Sequence, residues 1–142
     1  MNLRIYIDGG ARGNPGPAAA GVVIESVEDG TTVFEAGLYL GKSTNNAAEY
    51  SGLVAGLEAA VKLKGKELDV YSDSELLVRQ MVGEYRVKSA GLKDLYDEAR
   101  SLLRRFNRCD FHHIRRENNE RADSLVNLAM DCAGDVGDVL ED

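Results

Sequence analysis

Leu3, Ile5 and Ile7 alternate with Arg4, Tyr6 and Asp8, the period-two pattern of a strand with one apolar face. A Gly/Pro-rich turn, Gly9 to Pro17, breaks the run. Two further strand-like stretches follow, Ala19 to Val27 and Thr32 to Leu40, and Glu28-Asp29-Gly30 between them carries an Asp-Gly hairpin signal. Asn46 and Glu49 stand at capping-box spacing, which predicts a helix through about Leu63 with Leu53, Val54, Leu57 and Val61 among its apolar positions. Leu68 to Ser72 reads as a short strand and Ser74 to about Gly83 as a helix. Tyr85 to Gly91 is a link, and Leu92 to Phe106 a helix with Leu95, Leu102 and Leu103 inward. Cys109 to Ile114 is a fifth strand, and Asn119 to about Cys132 a last helix with Ala122, Leu125, Val126 and Ala129 on one side. The order β-β-β-α-β-α-α-β-α implies a mixed sheet covered by helices in one layered α/β domain.

The length of 142 residues suits one domain, and 44% apolar with 29% charged residues is a globular composition. Lys plus Arg number 17 against 24 Asp plus Glu, and the net charge of -7 argues against nucleic-acid binding by bulk positive charge. Much of that charge is terminal. Residues 134–142 carry Asp135, Asp138, Glu141 and Asp142 with no base, so residues 1–133 are only at -3. Val136, Val139 and Leu140 are few anchors for such a segment. The expectation is therefore a folded body over 1–133 and a flexible acidic tail over 134–142. No apolar run approaches the ~18 residues of a membrane span, and MNLRIYIDGG has no signal-peptide layout. Cys109 and Cys132 are too few for a disulfide scaffold, which fits two thiols in a cytoplasmic protein.

Two strands end alike, Tyr6-Ile7-Asp8 and Tyr71-Ser72-Asp73. In parallel neighbouring strands, Asp8 and Asp73 would sit side by side beyond the carboxyl ends, where open α/β sheets place ligands. Adjacent carboxylates repel, so either one is protonated or a cation is shared. Each acid also has an ordinary role: Asp73 as part of a helix cap, Asp8 as a turn acid, Glu49 as the capping-box partner of Asn46, Asp123 as a solvated acid on the last helix. Gly9-Gly10-Ala11-Arg12-Gly13-Asn14-Pro15-Gly16-Pro17 is a loop able to bring backbone N–H groups to a ligand. It is not a dinucleotide fingerprint, because a strand follows it. Gly41-Lys42-Ser43 lacks the glycine spacing of a phosphate-binding loop.

Asp8-Gly9-Gly10 with Gly13-Asn14-Pro15-Gly16-Pro17, then Thr44-Asn45-Asn46-Ala47-Ala48-Glu49, Ser72-Asp73-Ser74, and Glu117-Asn118-Asn119-Glu120-Arg121-Ala122-Asp123 together resemble ribonuclease H of type 1, in chain order from Ile5 to about Ala129. The resemblance implies a five-stranded mixed sheet whose second strand is antiparallel. It implies that the four metal-binding, catalytic acids are Asp8, Glu49, Asp73 and Asp123, and that the RNA strand of an RNA–DNA hybrid is hydrolysed with two Mg²⁺ or Mn²⁺ ions, leaving 5′-phosphate and 3′-hydroxyl ends. Asp8 would bridge the ions, with Asp123 on the water-activating one and Glu49 and Asp73 on the other. By the same likeness, Gly9, Gly10, Ala11, Asn14 and Asn46 face the 2′-hydroxyl, and Thr44 with Asn14 forms a pocket for a DNA phosphate.

The sequence departs from the family in three places. Many relatives carry a catalytic His on a loop before the last helix, whereas His112 and His113 fall within the fifth strand pattern. The link Arg115-Arg116-Glu117-Asn118 offers Arg116 as a contact to the scissile phosphate, against a solvated arginine as the plain alternative. The basic, Trp-bearing handle of some relatives is missing, since Gly83 to Lys93 holds only Arg86, Lys88 and Lys93 as bases. No hybrid-binding domain precedes Asp8. The reading is a monomeric hybrid endonuclease with no membrane partner. The rivals are a transposase-like or exonuclease relative acting on DNA, and a non-catalytic hybrid- or RNA-binding module.

Overall fold

The alternating segment at the start of the chain is the central strand of a six-stranded sheet in the computed structural model, which describes residues 1–139. This strand, β1 (Asn2–Ala11), pairs antiparallel with β2 (Gly16–Ser26) and parallel with β4 (Glu67–Ser72). β3 (Thr32–Ser43) follows β2 antiparallel, β5 (Arg108–His113) lies parallel to β4, and β6 (Val136–Gly137) pairs antiparallel with β3. The sheet order is β5-β4-β1-β2-β3-β6. The helices are α1 (Asn45–Lys62), α2 (Glu75–Met81), α3 (Ala90–Leu103) and α4 (Glu120–Cys132), with a single 3₁₀ turn at Arg116–Asn118 before α4.

The face of β1 carrying Leu3, Ile5 and Ile7 is fully buried against α1. That helix is apolar nearly all round, as a helix enclosed by the core must be. Gly56 lets it lie close, since a Cβ there would stand 3.0 Å from Ile5 Cγ2. α3 packs outside α1, with Tyr96 edge-on to Tyr50 at 6.5 Å, and the buried Tyr50 hydroxyl donates to Gln80 Oε1 at 2.7 Å. The other face of the sheet is covered by α4 over β2 and β3, through Ala19 against Val126 and Ala129. On that same face, β1, β4 and β5 carry a ladder of stacked rings, Tyr6 on Tyr71 and Tyr71 on His112, each at 4.9 Å.

Several expected boundaries move, each for a local reason. β1 continues past Asp8 because Gly9, Gly10 and Ala11 pair with Ala20, Ala19 and Ala18, leaving only Arg12 to Pro15 as the turn. α1 starts two residues early, capped by Thr44 in place of Asn46, with Thr44 Oγ1 accepting from Ala47 N at 3.2 Å; Asn46 and Glu49 form no capping box. Five expected strands become six because part of the acidic segment docks. Asp135 Oδ1 accepts from Tyr39 N at 2.8 Å, and Asp138 Oδ2 from Glu35 N at 2.9 Å. The outer edge of β3 has N–H groups in need of acceptors, and these carboxylates supply them. A flexible tail therefore does not describe residues 134–139, although Val139 is exposed; the rest of the expected tail, residues 140–142, lies outside the described residues. Cys109 and Cys132 are both free thiols.

Candidate active site

The parallel β1–β4 register ends at Ile7 and Ser72, so Asp8 and Asp73 are the first residues beyond it on adjacent strands. The neighbourhood expected from the Tyr-x-Asp endings is thus formed. Ser72 Oγ accepts from Ser74 N at 3.0 Å and Ser74 caps α2, which fixes the turn holding Asp73. Two glycines bring the remaining acids in. A Cβ on Gly9 would stand 2.3 Å from the Ala48 carbonyl carbon, so only glycine lets the start of α1 lie across β1 and deliver Glu49. A Cβ on Gly21 would stand 2.2 Å from Ala122 O, and that close approach of α4 delivers Asp123.

Carboxylate oxygens of Asp8, Glu49 and Asp73 all lie within 4.8 Å of one another. Asp123 joins them in lining a cleft of about 510 Å³. Asp8 is buried, and burial, the charge of Asp73 and the side chain of Asp123 raise its pKa to about 8. Glu49 is raised to about 9, first by burial and then by Asp8 and Asp73, with Arg116 opposing. Its Oε2 is buried without a hydrogen-bond partner. Arg116 reaches the acids, with Nη2 3.8 Å from Asp123 Oδ1 and a largely exposed side chain. Crowded hard oxygen donors, one of them orphaned, are a donor set that fits a divalent cation such as Mg²⁺.

The other expected residues are placed unevenly. Gly9, Gly10, Ala11 and Arg116 line the cleft. Asn14 Oδ1 accepts from Asn45 N at 3.0 Å, and Asn45 Oδ1 accepts from Ala11 N at 2.8 Å, tying the glycine-rich turn to the start of α1. Asn45, which the sequence reading left out, faces the cleft. Asn46 instead lines a small hollow with Glu49, Ser74 and Leu76. The Asn-Asn pair was the available signal, and the phase of α1 decided between the two. Arg12, Asn127 and Met130 also line the cleft without having been anticipated. His113 stays exposed on β5, outside the cleft lining.

Residues 6–129 match the family described as reverse transcriptase-like. Ribonuclease HI of Halobacterium salinarum is 43% identical over 131 residues, covering 92% of this chain and 65% of that protein. The crystal structure of RNase H1 from that archaeon superposes with a TM-score of 0.89 over 93% of this chain and 99% of that one. The chain belongs to the type 1 ribonuclease H family. Another member, LC11-RNase H1 in complex with an RNA/DNA hybrid, is 46% identical, with a TM-score of 0.86 over 92% of this chain and 98% of that one. A bifunctional protein of Mycobacterium tuberculosis is 45% identical over 133 residues, and the chain spans only 36% of its length. Ribonucleases H are metal-dependent, and the carboxylate cluster is the feature of this chain that answers to that. Among the described residues, no helix is long and apolar enough to cross a membrane.

Proposed function

We propose that this chain is an endonuclease that hydrolyses the RNA strand of RNA–DNA hybrids, leaving 5′-phosphate and 3′-hydroxyl ends. The observation that carries the reading is the convergence of Asp8, Glu49 and Asp73, one carboxylate oxygen from each within 4.8 Å of the others, with Asp123 and Arg116 at the edge of the same cleft. Asp8, Glu49, Asp73 and Asp123 would hold Mg²⁺ or Mn²⁺, two ions in the active complex. Bound there, the ions supply positive charge to the attacking and leaving oxygens of a phosphodiester displacement.

The chain's own groups do the rest. Burial and like charge push the Asp8 and Glu49 carboxyls up to about 8 and 9, so the free site favours holding protons, which a bound cation would displace. Arg116, which lines the cleft with a largely exposed side chain, would hold a phosphate oxygen through its guanidinium. Gly9, Gly10 and Ala11, with the amide of Asn45 beside them in the cleft, would read the 2′-hydroxyl, which both donates and accepts; Asn46, which lines the neighbouring hollow, would do so only from the far side of Glu49. Thr44 and Asn14 use their oxygens to fix the start of α1, leaving the donor ends of both side chains for a DNA phosphate. The protein is read as a cytoplasmic monomer, in keeping with its free thiols.

The test is cleavage of a labelled hybrid in Mg²⁺, run beside double-stranded RNA and double-stranded DNA. Hybrid cleavage that fails on 2′-deoxy substitution at the scissile position is the expected result. Equal cleavage of the DNA duplex would instead favour the transposase-like alternative, and binding without cleavage the non-catalytic one.

A further inference from the structure

Asn119 is only 2% exposed and immediately precedes α4. An asparagine there ordinarily turns its side-chain oxygen onto the first N–H groups of the helix. This one makes no such cap. Its Nδ2 reaches across to β1 and donates to the Ile7 carbonyl at 2.8 Å, in the peptide unit leading into Asp8. Its backbone carbonyl accepts from Asp123 N at 3.1 Å, and its own N–H donates to Arg116 O at 2.9 Å. One residue thus touches the strand end carrying Asp8, the helical turn carrying Asp123 and the turn carrying Arg116.

Two further observations separate this contact from ordinary packing. Asn119 Oδ1 is buried with no hydrogen-bond partner, although leaving a polar atom so is costly and concentrates at functional positions. The β1–β4 register stops at Ile7, so the position of Asp8 relies on β2 and on what grips the Ile7 carbonyl. We propose that Asn119 is a positioning residue: its amide clamps the Asp8 strand to the Asp123 helix and so sets the separation of those two carboxylates for a divalent cation. The inference rests on the reading of the four acids as cation ligands.

The experiment is a calorimetric titration of the substrate-free protein with Mn²⁺, comparing wild type, Asn119→Ala, the near-isosteric Asn119→Asp and Asp8→Asn. Outer residues that orient metal ligands are worth about tenfold or more in affinity, and that weakening is expected for both Asn119 variants. The Mn²⁺ concentration for half-maximal cleavage should rise in step, while the KM for hybrid at saturating metal stays within about twofold of wild type. Asn119 variants that melt earlier but bind Mn²⁺ as wild type does would overturn the inference, because a purely structural role predicts that result. Should neither variant fold, exchange of the wild-type Asn119 side-chain N–H₂ with solvent decides. The clamp predicts slow exchange, slowed further by Mn²⁺, and exchange indifferent to the ion overturns it. If Asp8→Asn binds Mn²⁺ as wild type does, the reading of the acids fails. If Asp8→Asn is weakened and the Asn119 variants are not, only the clamp fails.

Discussion

Asp69, within β4, and Asp73, in the bend just beyond it, are four positions apart, yet they live in opposite electrostatic surroundings. Asp69 is gripped by Arg108, with Nη1 3.2 Å from its Oδ1, and by His112 Nε2 at 2.8 Å, and these partners hold its carboxyl below the usual range. Arg108 also bridges to Glu67 and Asp110. At the carboxyl end of the same strands, Asp73 meets Asp8 and Glu49, whose pKa values rise through burial and mutual repulsion. The protein therefore pairs one group of acids closely with counterions and leaves the other crowded, with Arg116 reaching only its edge at Asp123. A folded chain tolerates such crowding where the missing positive charge arrives from outside.

Replacing Asp8 is the hardest blow to this contrast. Asp8→Asn should lower hybrid cleavage by roughly 10³-fold or more, the scale set by losing several kcal/mol of transition-state charge stabilisation. The same variant should melt at or above the wild-type temperature when metal is absent, because repulsion has been removed. An active Asp8→Asn enzyme would erase the distinction between the two groups of acids.

The second expectation concerns pH in the metal-free protein. Asp8 and Glu49 have folded pKa values raised to about 8 and 9, above their unfolded values. Their contribution is thus fully present below about pH 4 and is lost as pH rises through 8 to 9. Asp69 has the opposite sign, since its lowered pKa contributes stability above the acid range that fades as pH falls. Thermal melts in a chelator should show these acids lowering Tm from about pH 5 up to about pH 9 and no further above that, and Asp8→Asn or saturating Mg²⁺ should flatten that fall. A flat profile in the chelated wild type would count against the buried, uncompensated acids.

Removing residues 134–142 tests acids of a third kind, those bonded to backbone. Loss of the Asp135 and Asp138 contacts and the β6 pairing should cost about 1–2 kcal/mol, roughly 3–8 °C in Tm. The turnover number should hold, because none of the residues described in that segment, 134–139, lines the cleft. The smallest effect is expected for Asp69→Asn. Its network is only half-buried and open to solvent screening, so Tm should move by only about 2 °C and cleavage not at all. A large activity loss there would show that the two groups of acids are coupled through the Tyr6–Tyr71–His112 stack.

What the sequence displays and what it conceals divide along contact range. The pairing of Asp8 with Asp73 follows from period-two alternation and matched strand endings, and the hairpin at Glu28-Asp29-Gly30 from local turn chemistry. The choice of Asn45 over Asn46 for the cleft depends on the phase of α1, which turns on whether Thr44 or Asn46 caps it. The grip of Asn119 on Ile7 spans 112 positions and no local pattern announces it. Nor does composition reveal the docking of Asp135 and Asp138, because an acidic run reads the same whether it is solvated or answering N–H groups on β3.

That docking has a consequence for how copies of the molecule meet. An open sheet edge is a template onto which a strand from another chain can add. Along the outer side of β3 the two-residue strand β6 fills Ala36 and Gly37, and Asp138 and Asp135 occupy the N–H groups of Glu35 and Tyr39 on either side. A foreign strand would have to displace both carboxylates and bring its own carbonyl oxygens up against their charge. The opposite flank, β5, displays Arg108, Asp110 and His112. Both sides of the sheet are thus guarded against edge-to-edge aggregation, one by charged side chains and the other by the segment from Asp135 to Asp138 of the same chain.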